Sequence, residues 1–278
     1  MEAGNSQELP IAVNYFAERA TICARLLLTS HFRRFHDPTS QTAVVLLPGL
    51  DGTGELFEAF AAALDPQVCP IIVRYPGDQI LSYPALLESA RAQLPARMPF
   101  VLLGESFSGP IAIALAASEP LGLVGVVLSC SFARNPYPLL RWSRRLVRRM
   151  PIPLQSSAVA NRLLFGRHST PELGGALRHA LRSVDAKVLR ARAASVLTVD
   201  VTANLKRLRR PVLYLRATDD RLIPASAGRF IQLHHRRTEV VDFAGPHGLL
   251  QARPNETAAR VSEFALRCGT SPPAAEGG

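Results

Sequence analysis

The chain has 278 residues, 47% of them hydrophobic and 19% charged, with a formal net charge of +10. That length suits one large α/β domain with an insertion, and it supports a buried core without disulfide or metal staples. The apolar content excludes disorder and 18 glycines exclude collagen; four scattered cysteines with no C-x-x-C spacing exclude a disulfide scaffold and offer no grouped metal ligands.

Residues 1–42 read as a helical extension, because Leu9, Val13, Phe16, Ala20, Cys23 and Leu27 step by four and three along one face. The apolar run 43–47 reads as a buried strand, followed by a helix over 55–64, a strand over 68–74 and a helix over 83–94. A strand over 100–103, a helix over 109–117 and a strand over 123–129 continue the alternation. This is the pattern of βαβ units around a mostly parallel sheet with helices on both faces. Alternation then stops across residues 131–210, where 139–150 and 171–197 read as basic amphipathic helices; Leu139, Trp142, Leu146 and Met150 share one face. It resumes with a strand at 211–216, a helix at 225–235, a strand at 238–243 and a helix at 256–266, before a mobile tail at 269–278. The organisation is a core in two halves, 43–130 and 211–268, with a helical cap, 131–210, inserted after the fourth strand.

Charge is concentrated in that cap. Residues 131–210 hold 17 Arg or Lys against three acids (Glu172, Asp185 and Asp200), a net of +14, which leaves the remainder at −4. Arg141, Arg144, Arg145, Arg148 and Arg149 flank the apolar stripe of the first cap helix, so they form either a solvated face or the footprint of an acidic partner. Nucleic acid is not that partner, since no helix-turn-helix, zinc or aromatic-rich sheet signature accompanies the arginines. No stretch reaches the roughly 18 apolar residues of a membrane span. The opening MEAGNSQELP lacks the basic and apolar regions of a secretory signal, so a soluble cytoplasmic protein is expected.

Three segments carry chemistry. Gly104-Glu105-Ser106-Phe107-Ser108-Gly109 lies between an apolar strand and an apolar helix. Asp219-Asp220-Arg221-Leu222-Ile223-Pro224 follows a later strand, and Gly245-Pro246-His247-Gly248 lies between the last strand and helix. Together these resemble the α/β-hydrolases, over residues 43–130 and 211–266. Ser106 matches the serine of the nucleophile elbow G-x-S-x-G, with Ser108 in place of the second glycine. Asp220 keeps the family's spacing to Pro224 and is the expected acid, with Asp219 the neighbouring candidate that a one-residue loop shift would exchange for it, and His247 matches the family's histidine loop. The order Ser106, Asp220, His247 is the family's order. His31, His36, His168, His179, His234 and His235 fall on expected helices or loops and read as solvated.

The loop Pro48-Gly49-Leu50-Asp51-Gly52-Thr53-Gly54 resembles the family's oxyanion loop, with Pro48 where histidine is usual. The resemblance implies oxyanion donation by the backbone amides of Leu50 and Phe107, and it implies no metal or organic cofactor. The expected activity is hydrolysis of a carboxylic ester through a Ser-His-Asp triad and an acyl-enzyme. Thioesterase or acyltransferase chemistry on the same triad, or a hydrolase-fold protein that only binds, are the alternatives. The substrate is a small-molecule or carrier-bound acyl ester, and the arginine-rich cap suits an acidic acyl carrier protein or an anionic lipid surface.

Overall fold

A computed structural model describes residues 41–149 and 157–270. Six strands form one parallel sheet: β1 (Thr42–Leu47), β2 (Val68–Ile72), β3 (Phe100–Glu105), β4 (Leu123–Ser129), β5 (Val212–Ala217) and β6 (Thr238–Phe243). Their spatial order is β2-β1-β3-β4-β5-β6. The chain therefore moves outward from β1 to β2, then returns to the other side of β1 for β3. The reversal opens a crevice at the carboxyl ends of β1 and β3, the position where open α/β sheets place ligands. Every residue of β1 and β3 is buried, which explains why they are continuous apolar runs rather than alternating ones.

Helices cover the sheet: α1 (Glu58–Ala62), α2 (Tyr83–Arg91), α3 (Gly109–Ala116), α9 (Ala225–His234), α10 (Leu249–Ala252) and α11 (Pro254–Thr270). Seven of the eight residues of α3 are buried, so this helix is apolar all round. Helix α2 starts where the Ser82 hydroxyl accepts a hydrogen bond from the Ala85 amide and proline occupies the first turn. Between β4 and β5 lie α4 (Arg144–Arg149), α5 (Ser157–Leu164), α6 (Pro171–Arg182), α7 (Ala186–Val196) and α8 (Thr202–Arg207). Among the described residues, no helix is long and apolar enough to cross a membrane.

Several boundaries differ from the sequence reading. The first cap helix, expected over 139–150, is a 3₁₀ segment (Pro138–Ser143) leading into the short α4. Leu139, Trp142 and Leu146 of its apolar stripe find no core (Met150 lies outside the described residues), and arginines stand four apart (Arg141 and Arg145, Arg144 and Arg148), so neither packing nor charge favours one long α-helix. The stretch 171–197 is two helices, broken at 183–185. Helix α11 continues to Thr270, through the expected start of the tail. His235 is buried rather than solvated, its Nδ1 lying 2.9 Å from Thr238 Oγ1. The helical stripe expected in the first forty residues lies outside the described residues.

Candidate active site

Strand β3 delivers Ser106 directly into a 3₁₀ turn, and Ser106 adopts φ 47°. A non-glycine residue in this left-handed region is strained and needs surroundings that hold it there. Two glycines allow the turn. A Cβ on Gly104 would lie 2.8 Å from Ala112 Cβ, and one on Gly109 would lie 1.8 Å from Ser131 Oγ. Ser131 in turn donates to the Ser106 carbonyl at 2.5 Å. Ser108, at the departure from the family motif, is fully buried and donates to the Pro48 carbonyl, with Tyr75 Oη 3.0 Å from its hydroxyl. The residue that breaks the motif is thus hydrogen-bonded to the loop after β1.

Two further strand ends supply the partners. His247 Nε2 lies 2.7 Å from Ser106 Oγ, and His247 Nδ1 lies 2.9 Å from Asp220 Oδ2. Both the imidazole and the Asp220 carboxylate are almost wholly buried. Asp220 Oδ1 also accepts from the amides of Leu222 and Ile223, each at 2.8 Å, which fixes the carboxylate plane. The neighbouring Asp219 turns away, to Arg167 Nη2 at 2.6 Å and His168 Nε2 at 3.0 Å. Its backbone N–H donates to the Gly245 carbonyl, tying the aspartate loop to the histidine loop. A carboxylate at Nδ1 holds the proton there and leaves Nε2 free to accept the serine proton. Such a chain can make a serine nucleophilic.

The loop after β1 packs on the turn that carries this serine, through the Ser108 hydrogen bond to the Pro48 carbonyl. Leu50 follows Gly49 in a turn closed by the Gly52 amide donating to the Gly49 carbonyl, and among the described residues no acceptor takes the Leu50 amide. Asp51 Oδ2 accepts from the Thr53 amide at 2.9 Å and from its hydroxyl at 2.5 Å. Phe107, the other expected donor, is buried and stacks on Tyr83 with ring centroids 4.9 Å apart.

Sequence reasoning missed three residues here. Arg192, on cap helix α7, is 2% exposed rather than solvated. Its guanidinium donates to the carbonyls of Leu50 (3.1 Å), Asp51 (2.6 Å) and Pro76 (3.0 Å), and so clamps the loop after β1 to the cap. Glu105, beside Ser106, is buried under the same loop and accepts from Gln251 Nε2 at 2.9 Å. Burial pushes its carboxyl up to about 7, against the opposing effect of the Gln251 hydrogen bond. Cys130 is the third. Its sulfur, Asp220 and His247 lie within 4.8 Å of one another. Burial, with the Asp220 charge beside it, raises the thiol well above its ordinary range, which keeps it neutral. The donor set does not suit a metal, because both imidazole nitrogens already serve Ser106 and Asp220.

The cap touches the site a second time where the Gly248 amide donates to the Leu164 carbonyl at 2.9 Å, next to His247. A cavity of about 290 Å³ lies between the turn after α5 and the aspartate loop. It is lined by Phe165, Arg167, His168 and Asp220 but not by Ser106 or Leu50, so it sits behind the acid rather than at the serine. Arg141, Arg144, Arg145, Arg148 and Arg149 are all exposed on the cap and do not join the site.

A sequence model of the Alpha/beta hydrolase family matches residues 44–260. No curated protein sequence matches. Solved structures share the fold. One is a hydrolase from Oleispira antarctica, 14% identical over 81% of this chain and 90% of that one, with a TM-score of 0.70. Another is a thermophilic esterase from Thermogutta terrifontis, 19% identical over 84% and 92%, also at 0.70. A third is an enol-lactonase from Burkholderia xenovorans, 17% identical over 84% and 93%, at 0.67.

Proposed function

The chain belongs to the alpha/beta hydrolase family, and from that premise we propose that it is a serine hydrolase cleaving carboxylic esters through an acyl-enzyme. The observation that carries the reading is the unbroken hydrogen-bonded chain from Ser106 Oγ through His247 to Asp220, at the crevice where the sheet order reverses. Ser106 attacks the ester carbon while His247 Nε2 takes its proton, and Asp220 stabilises the imidazolium that forms. The amides of Leu50 and Phe107 are assigned to the carbonyl oxygen as it gains charge. His247 returns the proton to the departing alcohol. It then deprotonates a water that attacks the acyl carbon, and the acid leaves as Ser106 recovers its proton. The esterases among the similar folds support an ester rather than another acyl bond.

The test is a panel of p-nitrophenyl esters of graded chain length, run beside labelling with a fluorophosphonate probe. The wild-type chain and Ser108→Gly should label and turn over, whereas Ser106→Ala should do neither. Labelling that persists in Ser106→Ala would overturn the assignment of the nucleophile.

A further inference from the structure

We propose that the cap segment spanning residues 138–149 is a docking surface for an anionic lipid bilayer. Its large apolar side chains point outward: Leu139 is 88% exposed, Trp142 77%, Leu146 50% and Leu140 46%. Interleaved with them are Arg141, Arg144, Arg145, Arg148 and Arg149, all exposed. None of the five forms an ion pair with another described residue. No acid occurs between Glu119 and Glu172, so nothing local in the sequence neutralises the patch.

A solvated basic face accounts for the arginines but not for the leucines and tryptophan. Exposed apolar surface is unfavourable in water unless something covers it. A bilayer interface meets both needs together. Apolar side chains enter the boundary between headgroups and acyl chains, tryptophan prefers the headgroup level, and guanidinium groups pair with phosphates. An acidic protein would satisfy the charge, yet it would also need a complementary hollow for side chains that protrude this far.

The segment is fixed where docking would matter. Tyr137 Oη, immediately before it, donates to the Leu222 carbonyl at 2.7 Å, two residues beyond Asp220. Helix α4 lies against α7, the helix that sends Arg192 to the loop after β1. A membrane bound here therefore meets the end of the molecule that carries Ser106. The docking itself does not rest on the hydrolytic reading, since Ser106→Ala should bind vesicles as the wild type does.

Trp142 is the chain's single tryptophan, so its fluorescence reports this patch alone. With vesicles containing phosphatidylglycerol, its emission should shift to the blue and be quenched by brominated acyl chains. Phosphatidylcholine vesicles should leave it unmoved. Salt near 1 M, where the Debye length falls to about 3 Å, should weaken binding strongly. Each basic residue near an anionic surface strengthens partitioning about fivefold, so Arg144→Glu/Arg148→Glu should lower it at least about twentyfold. Arg141→Gln/Arg145→Gln, with a melting curve for each protein, separates lost binding from lost folding. An unmoved Trp142 spectrum with phosphatidylglycerol would overturn the proposal, as would equal binding to neutral vesicles or undiminished binding by both variants. A response to an acidic acyl carrier protein in the absence of any response to vesicles would overturn it in favour of a protein partner.

Discussion

Replacing Arg192 by methionine keeps the reach of the side chain and removes the guanidinium that holds three backbone carbonyls. Of the three bonds, only the one to the Asp51 carbonyl is fully buried; those to Leu50 and Pro76 are partly buried, so their carbonyls can turn to water. A buried acceptor left unpaired costs about 1–3 kcal/mol, and each lost bond to a charged donor about 1.5–3 kcal/mol. Burial of the cation opposes this, since desolvation already holds the Arg192 pKa below its ordinary value. A net loss of about 2–4 kcal/mol in folding stability follows. The kinetic effect is separate. Removing an oxyanion donor outright costs about 10²–10³ in kcat; in the role proposed for it the Leu50 amide would be loosened rather than deleted, so about 10–10² is expected. KM should change little, because the donor acts on charge that develops only in the transition state. Arg192→Lys should fall between, a lysine being a point donor that cannot span three carbonyls. Gly52→Ala attacks the same contact from the loop. Gly52 has φ 74°, and an added Cβ would lie 2.4 Å from Arg192 Nη1, so kcat should fall here as well. The assay is steady-state hydrolysis of a p-nitrophenyl ester beside thermal unfolding of each variant. A folded Arg192→Met enzyme whose kcat stays within about twofold of wild type would refute the clamp.

Asp220→Asn should lower kcat by up to about 10⁴, since the imidazole loses the partner that sets its tautomer. Asp219→Asn should cost far less, because that carboxylate serves Arg167 and His168; a larger loss at Asp219 in the same ester assay would reverse the roles. Glu105 makes stability depend on pH. Its folded carboxyl keeps its proton up to about 7, while the unfolded chain releases it near 4.5. The folded state therefore binds more protons between those values, and stability falls as pH rises through that window, by about 3 kcal/mol at most. Glu105→Gln cannot ionise, so its melting temperature should vary less than that of wild type between about pH 5 and 8. Identical pH slopes for the two proteins would contradict the buried, proton-holding carboxyl.

The parts legible in the sequence are those whose signal is local. Strands β1, β3 and β4 are apolar runs because both their faces are buried, and Ser106, Asp220 and His247 stand at strand ends with spacings that turns impose. The cap was harder to read. The stripe of Leu139, Trp142 and Leu146 satisfies a helical period, but a period states only which side chains share a face, not whether a core lies beneath it. In the folded chain none does, and the backbone tightens into 3₁₀ geometry. Arg192 shows the converse. On α7 it stands four residues after Val188 and three after Leu189, in line with the buried stripe rather than with the exposed Lys187 side. A guanidinium at a core position of an amphipathic helix requires acceptors, since a buried cation left alone is too costly to persist. That need was readable from the spacing. The acceptors were not, because they are the carbonyls of Leu50 and Asp51, more than 140 residues earlier in the chain. Backbone carbonyls leave no trace in residue identity, so only folding reveals which loop the arginine holds.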